Sequence, residues 1–148
     1  GIQGLDLLGR KVVAKGGLPL QLLREEITKT AARADAASVA GGGALVAAID
    51  RVIALTMELG AKGLAGDVEG MLLHSADYLE LFSIVVVAWV WLEQAACAAR
   101  QDQADPFYQG KLLCAEYWLT TELPRVAALV ELCASGNDSY TRMPDDAF

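Results

Sequence analysis

The chain has 148 residues, a net charge of −7, and is 54% hydrophobic but only 21% charged. A chain of this size buries about two-thirds of the surface its unfolded form exposes, so it supports one domain with a core and is too apolar for intrinsic disorder. Its acidity, with no run of basic residues, argues against nucleic acid and anionic membrane surfaces, so neither is an expected partner.

The first segment, Ile2 to Lys15, places Ile2, Leu5, Leu8, Val12 and Val13 on one face. Asp6 and Arg10 form an i,i+4 ion pair on the other. Gly16 and Gly17 end it. Pro19 suits the first turn of a second helix, with Leu20, Leu23, Ile27 and Ala31 inward. That helix fades before Ser38, and Gly41 to Gly43 read as a linker or turn. A third helix, Ala44 to Ala61, carries a buried stripe of Leu45, Ala48, Ile49, Val52, Leu55, Thr56 and Leu59. Gly60, Gly63 and Gly66 are expected to break it.

A fourth helix starts near Asp67, an N-cap with Gly70 three residues on, and extends toward Arg100. Such a rod is about 50 Å long, so a kink near His74 or Ser83 is expected. It contains the charge-free run Leu81 to Leu92, about 12 residues where a membrane span needs about 20, so a buried core helix is expected and no membrane partner. Trp89 and Trp91, two apart, project to different faces. One fills the core; the other packs there too or meets a neighbouring surface. Asp105 followed by Pro106 signals the next helix start, with Phe107, Tyr108, Leu112, Ala115 and Leu119 along it. At Pro124 either the helix kinks, or Thr121 caps a new helix to Cys133. Ser135 to Asp138 stop it, and the polar tail has two apolar anchors, Met143 and Phe148. The expected fold is all-α: an antiparallel helical bundle of about four long helices, with the first segment lying outside it.

Chemistry-bearing motifs are sparse. Cys97, Cys114 and Cys133 lack CxxC spacing and read as reduced, buried thiols of a cytoplasmic protein. His74 is the single histidine, which excludes multi-histidine metal sites, and it reads as a surface or interface residue. The Gly41 triplet lacks a P-loop lysine and a complete GxGxxG. Glu116 and Glu122 have Lys111 and Arg125 as ion-pair partners, and Asp145–Asp146 reads as a solvated or capping pair. No catalytic set and no metal site are expected.

GIQGLDLLGRKVVAKGG resembles the segment that follows the catalytic glutamate in a branch of the acyl-CoA dehydrogenases, approximately Tyr-Glu-Gly-Thr-x-Gly-Ile-Gln-x-Leu-Asp-Leu-x-Gly-Arg-Lys. DYLELFSIVVVAWVWLEQA, DPFYQGKLLCAEYWLTTELPR and MPDDAF resemble, in order, the extra C-terminal domain of that methylthiopropionyl-CoA dehydrogenase-like branch. Ala147 stands where that branch usually has an aromatic. The resemblance implies a parent enzyme using FAD, in which a glutamate takes the α-proton of an acyl-CoA while the β-hydride passes to the flavin. That glutamate would precede Gly1. Gly1 and Gln3 are then the positions that approach FAD, partly across a subunit boundary. Residues 1–17 would end the catalytic helical domain, and residues 18–148 would form the extra helical domain. No cofactor is expected on this chain alone. Its partners would be the catalytic core of the same polypeptide and, in a homo-oligomer, further copies. An autonomous helical interaction module is the other reading.

Overall fold

The computed structural model describes residues 1–147, so Phe148, the second tail anchor, lies outside them. Helices α1 (Ile2–Asp6), α2 (Leu18–Ala36), α3 (Gly42–Leu64), α4 (Val68–Leu72), α5 (Ser75–Ala98), α6 (Pro106–Tyr117) and α7 (Arg125–Ser135) make up the fold, with no strand among the described residues.

Four columns run up, down, up and down. Arg24 pairs with Asp50, and Gly42 meets Ala31, so α2 and α3 are antiparallel. Lys111 meets Gln94 and Arg125 meets Glu80, which sets α6 and α7 antiparallel to α5. The expectation of four long helices needs one correction: α2, α3 and α5 are continuous, but the fourth column is segmented. A wide turn at Trp118–Glu122, closed by Leu123 N–H donating to the Trp118 carbonyl, joins α6 to α7. Pro124 has no N–H and its ring crowds the preceding turn, so the column widens there instead of continuing as regular helix. It kinks; Thr121 sits inside the wide turn and caps nothing, and α7 ends at Ser135.

The glycines divide by function. Gly41 takes φ 106°, a left-handed conformation that starts α3. Gly42, by contrast, is already helical, and its missing side chain admits α2, since a Cβ there would lie 2.9 Å from the Ala31 Cβ. Gly60 and Gly63 do not break α3. They sit inside it, and a Cβ on Gly63 would reach 2.5 Å from the Met71 sulfur. The signal taken for an end is a close approach, and the chain turns only at Gly66, with φ 93°.

The break near His74 is present, splitting α4 from α5, whereas Ser83 lies in unbroken helix. Asp67 caps α4 by accepting from Gly70 N–H at 2.8 Å, and Asp105 caps α6 by accepting from Phe107 N–H at 2.8 Å. α5 is the central helix. It buries Tyr78, Leu81, Val85, Ala88, Leu92 and Ala95, and touches α2, α3, α6 and α7. By length and a mean hydropathy of 1.8 it is apolar enough to cross a membrane; here 44% of its most apolar stretch is buried inside the protein.

The N-terminal segment departs from a plain helix. After α1 a wide turn covers Leu7–Lys11, and Lys15, Gly16 and Gly17 are all left-handed, the last opening α2. The segment does not stand apart from the bundle, because Leu8 and Val12 belong to the same core as Ile49, Tyr78 and Leu92. Gly4 packs so tightly on the start of α5 that a Cβ would come 2.3 Å from the Ser75 carbonyl oxygen.

Candidate functional site

Gly1 and Gln3 are both exposed, at the rim of a shallow hollow of about 350 Å³ shared with Ile2, Gly4, Ala76 and Leu79. The close Gly4–Ser75 contact fixes this hollow at the head of α5. Its polar groups are one amide side chain and the backbone, with no Lys or Arg lining it. The hollow alone is too open and too neutral to hold a flavin with its pyrophosphate. These two residues can offer an edge contact to a pocket built mainly by other residues.

On the flank of the same segment lies an apolar groove of about 550 Å³. Val12, Val13, Leu20, Ile53, Met57 and Met71 line it, and Gly9, Gly16, Gly17 and Gly60 open its floor. At its back the Thr56 hydroxyl donates to the Val52 carbonyl at 2.7 Å and accepts from the Tyr78 hydroxyl at 2.6 Å. Burial pushes the Tyr78 phenol up to about 12 despite that hydrogen bond. It is a neutral structural donor, not a proton-transfer group.

Between α2 and α5 a second polar cluster reaches toward the core. The buried Thr30 hydroxyl donates to Glu93 Oε2 at 2.7 Å. It accepts from Trp89 Nε1 at 2.8 Å and from Arg33 Nη2 at 3.0 Å. Arg33 also pairs with Glu93 at 2.5 Å. The Thr30 hydroxyl and then Arg33 hold the Glu93 carboxyl below its ordinary range, against the opposing effect of burial. Sequence reasoning missed this clamp. Its signal was a threonine on the stripe Ile27, Ala31, Ala34, where a polar residue needs a partner.

Trp91 projects toward α6, where Lys111 Nζ lies 5.2 Å from its ring and 5.5 Å from that of Phe107. The two tryptophans thus face different columns, as their spacing requires. Lys111 donates to Gln94 at 2.8 Å instead of pairing with Glu116, while Arg125 bridges Glu122 and Glu80. Antiparallel packing places Gln94 nearer Lys111 than a same-helix carboxylate.

The cysteines need a correction. Cys97 and Cys114 are exposed, because they fall on the outer faces of α5 and α6; only Cys133 is buried. Burial, helped by the Asp77 charge, pushes the Cys133 thiol up to about 12, which leaves it unreactive. His74 is also largely enclosed, with its side chain 10% exposed and Nδ1 3.2 Å from Asp77. Among the described residues no group of three or more His, Cys, Asp or Glu could hold a metal ion.

These features define an all-helical domain stabilised by internal clamps, with exposed apolar ground beside its first segment. The family model described as "Acetyl-CoA dehydrogenase C-terminal like" matches residues 23–144, and the chain belongs to that family. The match runs from within α2 to the tail and so covers the four columns. Neither the curated proteins nor the solved structures contain a match.

Proposed function

We propose that the chain is the C-terminal, non-catalytic part of a cytoplasmic, FAD-dependent acyl-CoA dehydrogenase of the methylthiopropionyl-CoA dehydrogenase-like branch. The parent oxidises an acyl-CoA at its α and β carbons, and FAD when bound supplies the hydride acceptor. The helical domain braces the segment that follows the catalytic glutamate, and with it the catalytic core or the oligomer. One observation carries this reading. The segment bearing Gly1 and Gln3 is anchored in the domain's own core through Leu8 and Val12, and Gly4 is seated on Ser75. Such an anchor transmits the position of the bundle to the residues that resemble a flavin edge.

The chain purified alone is expected to show neither flavin absorbance nor acyl-CoA oxidation. Yellow protein with stoichiometric FAD would overturn the assignment. The coding sequence just upstream of Gly1 is expected to encode a Tyr-Glu-Gly-Thr-like stretch. The alternative, an autonomous helical interaction module, draws its support from the exposed Met57 and Leu64 beside the apolar groove. An open reading frame with no dehydrogenase core would favour it.

A further inference from the structure

The tail that follows α7 hangs on one point of the bundle. Gly136 turns it back with φ 63°. The tail then bonds within itself: Ser139 N–H donates to Asn137, Thr141 N–H donates to the Asp138 carbonyl, and Arg142 pairs with Asp138. Beyond the neighbouring Asn137, residues 138–147 make a single hydrogen bond to the rest of the described residues. In it the Tyr140 hydroxyl donates to the Leu73 carbonyl at 2.6 Å. That carbonyl lies at the break between α4 and α5. Beside it the Tyr140 ring meets the His74 ring edge-on, with 6.3 Å between centroids.

The one attachment point therefore contains the one histidine. Its Nδ1 faces Asp77, and a carboxylate can only accept, so Nδ1 carries the hydrogen and the neutral ring leaves Nε2 as a lone-pair nitrogen. Nε2 is buried and has no hydrogen-bond partner among the described residues. The other titratable groups about the ring are Tyr140 and Cys133, whose thiol lies 3.8 Å from the His74 carbonyl. Lys62, Asp67, Glu69 and Asp138 line the adjoining hollow that Leu73 and Tyr140 share. Asp77 accepts from Nδ1 whether or not the ring is charged, so what a proton changes is Nε2. A buried lone pair becomes a cationic donor with nothing to accept from it, which is far more costly to enclose. Nε2–H finds an acceptor once the ring opens to solvent, and the part of its enclosure held by one hydrogen bond is the tail. We infer that the tail from Gly136 to Ala147 is a proton-released strap, latched over the α4–α5 break by Tyr140 while His74 is neutral and freed when His74 takes up a proton. Release removes one wall of a hollow of about 610 Å³. This goes beyond the dehydrogenase reading and does not depend on it.

Proton NMR of the full chain tests it, since a single histidine gives one set of imidazole signals. Between about pH 7.5 and about pH 5.5, where an ordinary imidazole changes charge, the cross-peaks between the His74 and Tyr140 rings are expected to fade along the His74 titration curve. The Tyr140 ring signals are expected to move with the same midpoint. Coupling of this kind is reciprocal, so Y140A, which removes the latch, is expected to raise the proton affinity of His74 about threefold or more. H74Q places an uncharged side chain at the break and is expected to leave the Tyr140 signals alike at both ends of that range. Cross-peaks that persist through the His74 titration would overturn the inference. So would a Tyr140 transition that survives in H74Q, or a His74 midpoint that Y140A does not move. The first of these is read on the unmodified chain and stands whether or not the variants fold. None of the outcomes bears on the flavin test, so the two proposals fail separately.

Discussion

Thr30 shows how much one hydroxyl can organise. It satisfies an indole N–H, a guanidinium and a carboxylate at once, and all three belong to side chains that stitch α2 to α5. Thr30→Val keeps the shape and removes the hydroxyl, leaving the half-buried Trp89 N–H without its acceptor. A loss of about 1–3 kcal/mol is expected, read from the urea midpoint. The effect should depend on pH. Glu93 is held below its ordinary range in the folded state, so its contribution is present above the unfolded carboxylate range. It is lost as pH falls through the lowered folded value. The gap between the unmodified protein and Thr30→Val should therefore narrow in acid. A gap constant across that range would show that Glu93 takes no part. The position could have been read as a polar intrusion on an apolar stripe. Trp89 and Glu93 could not, because they lie about sixty residues away in sequence and meet it only once α2 and α5 pack.

At the scale of elements, the segment–bundle joint is the most sensitive. Gly4→Ala would drive a Cβ into the Ser75 carbonyl, a backbone atom that cannot swing aside. The expected result is a loss of about 1–3 kcal/mol, with the first segment becoming the earliest site of proteolytic cleavage. Unchanged cleavage would mean that Leu8 and Val12 alone hold the segment. The inward stripes of α2 and α3 and the caps at Asp67 and Asp105 were legible from periodicity and local chemistry. By contrast, Ile2 and Leu5 on the first segment, Phe107 on α6 and the tail anchor Met143, all expected to face inward, are exposed. The reading failed where glycine carries two meanings. Gly66 ends a helix by its backbone angle, whereas Gly42 and Gly63 admit a neighbouring helix, and one-dimensional sequence does not separate them. Pro124 was legible as an interruption, but the choice between a kink and a new helix depended on whether the column could widen.

On the scale of the whole molecule, one core joins the N-terminal segment to all four columns. Unfolding is therefore expected to be a single transition, with tryptophan fluorescence and far-UV circular dichroism coinciding. Separate transitions would show that the first segment or the fourth column folds apart. Family membership was legible because its motifs are strung along the chain in order. The exposure of Cys97 and Cys114 was not, because helix-like surroundings do not say which way a small side chain faces.

The all-round apolarity of α5 has a consequence for biosynthesis. The chain leaves the ribosome with α2 and α3 ahead of α5, so a hairpin is ready to receive one side of the greasiest helix as it emerges. The other side waits for α6 and α7. During that interval a helix of 24 residues with membrane-like hydropathy stands half-covered. A circular permutant that began with α5 would present this helix before any of its partners, and it is expected to yield less soluble protein than the native order, read from the soluble fraction on expression.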